Sequence, residues 1–363
     1  MSAEGSRPGI TSDAALSSTA TRRPVVRVGS WLSLTYRRRS LVVGGILALG
    51  VLLLALLTLT LGTLGISLIE LPAAIASPEP GRTEFVLNIL RGPRLVTAIG
   101  TGAALGVAGA LFQTVTRNPL GSPDVIGLGA GASAGAAFFG LLLPGILPVP
   151  AGALAGALVA MGLVWLGTGR GFSSPGRMIL VGIAVSAMAV AFVQYVTTRV
   201  NQQEATTLAA YISGTLADRD WGDATEIWVA VIVLVPFALL LGRRLDLVEM
   251  GDDLADSLGG RSSLTRTLVV LVAIGLGTAA VAATGPISFV ALTAPQVARR
   301  LAKAPGAGIL LSALFGAVIL MAADLLVQQS PFGAQLPVGL LTAMVGGVYL
   351  GYLLLREWKK GTI

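Results

Sequence analysis

Apolar residues gather in ten long stretches, at about 41–63, 92–115, 124–143, 150–169, 177–198, 225–242, 267–284, 287–302, 307–328 and 336–355. Each approaches the ~20 mainly apolar residues that a helix needs to cross hydrocarbon. The pattern predicts an all-α, polytopic integral membrane protein with about ten transmembrane helices. Glycine and proline blur the borders, most of all near 120–125 and 285–287. Within the stretches, small residues recur four apart, as at Gly102 and Gly106 or Gly131 and Gly135. Such spacing lets helix backbones approach closely in lipid.

Two polar segments flank this apolar block of residues 41–355. Residues 1–40 are rich in Ser, Thr and Ala and hold seven Arg against two acids. With Arg37, Arg38 and Arg39 abutting the first apolar stretch, they read as a disordered basic cytoplasmic tail. A signal peptide cut after Ala76 is the other reading, but the run 41–63 is too long and Ala76 too distant. Residues 356–363 read as a short cytoplasmic tail. With the N-terminus inside, the predicted cytoplasmic segments collect 20 of the 25 Lys and Arg. That asymmetry, with an even number of spans, predicts that both termini are cytoplasmic.

Composition narrows the chemistry. The chain is 54% hydrophobic and 12% charged, with a mean hydropathy of +0.82, too little polar residue to coat a soluble globule. With no Cys and no His there is no thiolate nucleophile, zinc ribbon, imidazole shuttle or Ser–His–Asp triad. The three Lys, at 303, 359 and 360, never follow a Gly, so a Walker A loop is excluded. The net charge of +7 sits in loops beside apolar spans, which fits lipid head groups and orientation better than nucleic acid. Gly127, Gly129 and Gly131 mimic a dinucleotide fingerprint, but no strand precedes them and they lie in an apolar span.

Three features stand out. Arg91-Gly92-Pro93-Arg94 puts two guanidiniums at the predicted outer mouth of the second span, either to anchor the helix or to meet an acidic partner. The predicted inner loop 243–266 carries Leu247, Met250, Leu254 and Leu258 at three- and four-residue steps, an apolar stripe on a short helix. Its polar face holds Glu249, Asp252, Asp253 and Asp256, which anionic lipid would repel, so a protein partner is expected. Asn118-Pro119-Leu120 and Gly285-Pro286-Ile287 interrupt apolar sequence, as a tight turn or as a pore mouth. Asp324 is the one clear acid placed within the membrane.

The same segments resemble the permease subunits of bacterial ABC importers for iron–siderophore complexes, haem and cobalamin, over about residues 41–355. The likeness is carried by Arg91–Arg94, by Gly109–Gln113 through Arg117–Leu120, and by Gly251, Ala255, Leu258 and Gly259. It continues through Gly285–Arg299, Ala323-Asp324 and Leu336–Gly339. It implies a ten-span subunit of the cytoplasmic membrane, paired with itself or a paralogue around a path lined near Met178–Thr198 and Leu336–Leu355. Arg91 and Arg94 would receive acidic residues of an extracytoplasmic binding protein. A helix near 249–259 would couple to a cytoplasmic P-loop ATPase dimer through Glu249, Asp252, Leu254, Ala255, Leu258 and Gly259. Asn118, Leu120 and Ser174, the last in the 173–176 loop, would form the inner gate. This chain would bind no cofactor or metal, and ATP and Mg would act in the ATPase.

The sequence departs from the family pattern in places. Gln296 stands where relatives often have His, Ser288 and Ala291 where they have Gly, Gln328 where some have a third outer Arg, and Asp256 where many have Arg. Ferric siderophore is the expected cargo, with haem and cobalamin open. The main rival is a secondary carrier driven by an ion gradient. An intramembrane enzyme would need a Ser/Lys or paired-Asp site, and neither is found.

Overall fold

A computed structural model describes residues 25–28, 32–35, 38–77, 80–169, 174–303, 306–330 and 336–359. Two short strands, β1 (Val25–Val28) and β2 (Leu32–Thr35), pair antiparallel ahead of the first helix. Next come α1 (Arg38–Thr60) and the short α2 (Leu71–Ala76) and α3 (Arg82–Phe85). A π-helical turn, Val86–Leu90, leads into α4 (Gly92–Thr116). A 3-10 turn, Pro123–Ile126, precedes α5 (Leu128–Ala137), which runs on as a π-helical turn, Phe138–Leu142. Then follow α6 (Val149–Thr168), α7 (Pro175–Thr197) and α8 (Gln202–Ile212). α9 (Trp221–Glu249), α10 (Asp252–Ser257) and α11 (Ser262–Thr284) are joined by very short links. α12 (Val290–Ala302), α13 (Ile309–Gln328) and α14 (Val338–Lys359) complete the fold.

Among the described residues, seven helices or helix runs are long and apolar enough to cross a membrane: α1, the run Arg82–Thr116, α6, α7, α9, α11 and α13. The chain is an all-α, multi-pass membrane protein. α1 shows why. It turns Leu41, Val42, Ile46, Leu49, Leu52 and Leu53 outward, a surface that only lipid solvates without cost. Its small-residue side faces α13, with Gly44 against Leu311 and Gly50 against Val318.

α4 is the opposite case, buried along nearly its whole length. Packing this close rests on glycine. A methyl group on Gly106 would strike the Ser312 carbonyl of α13, and one on Gly109 the Ala291 carbonyl of α12. Neither backbone can yield without parting the helices. α4 therefore forms the axis on which α9, α11, α12 and α13 pack.

Several elements differ from expectation. The stretch 287–302 becomes α12, 13 residues long and largely buried, which at ~1.5 Å per residue spans only about 20 Å. Phe289 breaks the chain before it with a φ of 68°. The connection 199–220 contains α8, capped by the Asn201 side chain on the Glu204 N–H. Leu208 and Tyr211 of α8 are buried, so this helix turns back into the bundle. The loop 243–266 is not one helix: α9 continues to Glu249, Gly251 breaks it with a φ of 127°, and α10 adds six residues. Of the basic tail, residues 1–24 lie outside the described residues, while 25–28 and 32–35 form the strand pair.

Candidate functional sites

The two ends of α4 carry most of the residues singled out in the sequence. At the Arg91 end, Pro93 starts the helix where its missing N–H costs nothing. Arg91 is buried and donates to the Thr58 and Leu61 carbonyls, at 2.6 and 2.7 Å. Thr58 lies in the last turn of α1 and Leu61 just beyond it, where carbonyls lack helical partners. Arg82 adds bonds to the Thr63 and Gly65 carbonyls just beyond, at 2.8 and 3.0 Å.

Arg94 is engaged differently. Its Nε donates to both Asp324 oxygens at 3.0 Å and its Nη2 to Oδ1 at 2.6 Å. Gln328 donates to the same carboxylate at 2.7 Å. The Asp324 side chain is 3% exposed and that of Arg94 17%, so this is a fork-shaped pair shielded from water. The membrane acid read from the sequence is thus neutralised by one of the two candidate docking arginines. Arg91, Arg94, Gln328 and the segment Ala217–Asp220 line a cavity of about 690 Å³.

At the other end, Arg117 caps α4 in the left-handed region, with a φ of 50°. That kink aims its guanidinium at the end of α9. Nη2 donates to the Val248 carbonyl and to Asp252 Oδ1, both at 2.6 Å. Arg266 of α11 donates to the same Asp252 oxygen at 2.6 Å. Asp252, the first residue of α10, is therefore held by two arginines of its own chain. Asp256 accepts from the Ser262 N–H at 2.6 Å and its hydroxyl at 2.9 Å. Those bonds favour the charged form and hold the Asp256 carboxyl below its usual range.

α10 and the residues flanking it expose apolar side chains beside the acids Asp253 and Asp256. Met250, Leu254 and Leu258 are 64%, 45% and 60% exposed, while Ala255 is buried beneath them. Gly259 closes the helix with a φ of 77°, and the Gly260 N–H returns to the Ala255 carbonyl. Glu249 ends α9 and is exposed. Met250, Leu254 and Leu258 of the sequence stripe are exposed, with Glu249, Asp253 and Asp256 exposed beside them, while Asp252 is half-buried and held by Arg117 and Arg266.

Arg117 leads straight into the Asn118–Leu120 turn. The Asn118 Oδ1 accepts from the Leu120 N–H at 2.8 Å, and its carbonyl from the Gly121 N–H at 3.0 Å. The side chain thus fixes its own turn, and Leu120 stays 40% exposed. Gln296 of α12 donates to the Pro119 carbonyl at 2.6 Å. Behind it Arg299 donates to Gln113 Oε1 at 2.6 Å, and Gln113 to the Leu292 carbonyl at 2.8 Å. Ser174 is the extended residue ahead of α7. No hydrogen bond joins it to the Asn118 turn among the described residues, and Ser173 lies outside them.

Gln113, Arg117 and Arg299 were visible in the sequence as motif residues without an assigned partner, and Arg266 only as a basic residue of the predicted inner loop. Asp124, beside the gate turn, was counted as the edge of a span. Among the described residues no group of three or more His, Cys, Asp or Glu is placed to hold a metal ion.

Comparison with known proteins places this architecture. Residues 50–356 match the FecCD transport family. The chain is 41% identical over 290 residues to the ferric enterobactin transport system permease protein FepG of Escherichia coli (strain K12), covering 79% of this chain and 88% of that protein. It is 33% identical to the Fe(3+)-citrate import system permease protein YfmE of Bacillus subtilis (strain 168), covering 89% and 98%. A solved metal-chelate type ABC transporter in an inward-facing conformation shares the fold, with a TM-score of 0.76 and 24% identity over 87% of this chain and 99% of that one. With the family match spanning most of the sequence, the chain belongs to the FecCD transport family and is a permease subunit of an ABC-type importer.

Proposed function

We propose that this subunit carries ferric siderophore-type chelates across the bacterial cytoplasmic membrane. It crosses the membrane ten times, with both termini cytoplasmic, and pairs with a second permease subunit, a copy or a paralogue. A cytoplasmic P-loop ATPase dimer supplies the energy with its own ATP and Mg, and an extracytoplasmic binding protein delivers cargo. The observation that carries this reading is the outward apolar face of α10 joined by Arg117 to the Asn118–Leu120 turn.

The chain of contacts suggests how coupling runs. The ATPase grips Met250, Leu254 and Leu258, with Glu249 at the edge. A displaced α10 moves Asp252, Asp252 moves Arg117, and Arg117 is covalently followed by the gate turn. Gln296 links that turn to α12, so the gate answers to two helices. Work enters only because the ATPase contacts α10 differently in its two states. Ser174 guards the same mouth from the start of α7.

At the Arg91 end, Arg91 and Arg94 border the cavity on which the binding protein docks. Both already spend donors within the chain, so docking uses the guanidinium edges that Asp324 and the α1 carbonyls leave free. A carrier driven by an ion gradient is the second reading, and Asp124 is the group it would require.

Changing Leu254 and Leu258 to Asp tests the main reading. Both are exposed, so the permease should reach the membrane in normal yield. The ATPase subunit should no longer co-purify, and uptake should fall to background. Full co-purification with both substitutions in place would remove α10 from the ATPase interface.

A further inference from the structure

Asp124 is the acid that the contacts at the two ends of α4 leave unused. It sits on the 3-10 turn between the Asn118–Leu120 turn and α5. That turn folds back from the end of α4 into the bundle. Ile126 packs on Gly182 of α7, and Gly127 lies against the Ser186 hydroxyl. Ser186 is the middle residue of the 23-residue α7, so at ~1.5 Å per residue it lies about 17 Å from either end. Asp124 therefore stands near the middle of a hydrocarbon layer ~30 Å thick.

Its carboxylate makes no hydrogen bond or ion pair among the described residues. A charged group at that depth is costly, and such residues face cavities and mark binding or transport sites. A cavity of about 440 Å³ opens on Asp124, and no Lys or Arg lines it. Ser133, Ser186, Ser213 and Ser288 line it instead. Ser133 and Ser213 donate their protons to the Gly129 and Ala209 carbonyls, at 2.9 and 2.7 Å, which leaves their lone pairs for a guest. Three interruptions of helix meet on the same space: Ser213 after α8, Pro286 to Ser288 between α11 and α12, and Gly339 at the start of α14. Discontinuous helices at membrane depth are how transporters build ion and substrate sites.

We propose that Asp124, with Ser133, Ser186, Ser213 and Ser288, forms a mid-membrane site for a cation that carries N–H or O–H donors. Its guest is an ammonium group or a hydrated monovalent ion. The site offers one anionic and several neutral oxygen acceptors. The cavity is too wide for a bare ion to reach them all, so the guest brings its own donors around the charge. The site stands on its own geometry and does not rest on the import reading.

The test uses the full chain in lipid nanodiscs and dicyclohexylcarbodiimide, an apolar reagent that modifies carboxyl groups at membrane depth. Mass spectrometry of peptides locates the label. Asp124 should be modified, and the label should vanish from that peptide in Asp124→Asn. At constant ionic strength, methylammonium at about twice its dissociation constant should slow modification about threefold. Tetramethylammonium, with the same charge and no N–H donor, should leave the rate unchanged. Protection by sodium as well identifies a hydrated ion as guest, whereas protection by methylammonium alone identifies the ammonium group. Ser186→Ala with Ser288→Ala should weaken protection while modification persists. Equal rates in every salt, equal protection by tetramethylammonium, or an Asp124 that the reagent never modifies would each overturn the site. No ATP or ATPase enters this assay, so its failure is separable from failure of the import reading.

Discussion

The two ends of α4 are both pinned by arginine and aspartate, yet they are pinned differently. At one end a single Arg94 holds a single Asp324 through a fork, and the Asp324 side chain is 3% exposed. At the other, one oxygen of Asp252 is divided between Arg117 and Arg266, and the Asp252 side chain is 42% exposed. A dry, two-pronged pair fixes distance and direction together. In the shared one, the half-exposed Arg117–Asp252 bond is weak and can swing, while the Arg266 side chain is 8% exposed. The contrast sharpens the proposed coupling: α4 itself is packed along its length, its Arg94 end is clamped to α13, and the bond from Arg117 to α10 is the one that coupling needs to shift. Movement put in at α10 would then reach the Asn118 turn through Arg117 with α4 in place.

The largest expected effect lies in the clamp. Asp324→Ala leaves the Arg94 charge partly buried without its partner, which should cost ~3–5 kcal/mol and appear as a large fall in detergent melting temperature. The reciprocal exchange, Arg94→Asp with Asp324→Arg, restores an ion pair and should recover much of that loss. It also moves the guanidinium from α4 to α13, so it separates bracing from docking. Recovered stability without uptake would support docking through Arg94. Recovered stability with normal uptake would leave Arg94 a brace only.

At the tether the expectation reverses, with little stability at stake and much coupling. Arg117→Met removes an exposed pair worth ~1 kcal/mol or less, so folding and ATPase association should persist. Cargo imported per ATP hydrolysed should drop severalfold, because α10 no longer pulls on the turn. Arg117→Lys keeps the charge but loses the Nε bond to Val248 and the fixed guanidinium plane, and should fall between. Unchanged stoichiometry in Arg117→Met would show that the gate answers to α12 through Gln296 alone.

The same contrast explains what the sequence did and did not disclose. Apolar length alone located α1, α6, α7 and α13, because lipid asks for the same residue types all along a span. It drew 287–302 as a full-length helix, whereas the chain there is broken at Phe289 and α12 has 13 residues, since burial inside a bundle needs apolar residues as much as lipid does. α8 escaped because a polar stretch entering the bundle looks like a loop. Met250, Leu254 and Leu258 were legible as a stripe with period near 3.6. The partners of Asp252 and Asp324 were not, because 135 and 230 residues separate them from Arg117 and Arg94. Pairing at that range is decided by how helices stack, which no local pattern records. Asp124 was hidden for a related reason: only the folding back of its turn shows how deep it lies.

The smallest expected effect concerns how α10 is fastened to α11. The Ser262 N–H and hydroxyl hold the Asp256 carboxyl below its usual range. A folded value depressed in this way means the fastening contributes fully above the unfolded value of about 3.9 and is lost as pH falls through the folded one. Between pH 6 and 8 it should be constant, so any dependence of uptake on pH in that window has another origin. Asp256→Asn can still accept from Ser262 but without charge, so it should lower stability slightly at neutral pH and flatten the acid limb. Melting curves of the two proteins should therefore converge only in strongly acid buffer. Convergence near pH 6 would mean that Asp256 titrates far above its assigned range and that its bonds to Ser262 are not made in the membrane-embedded protein.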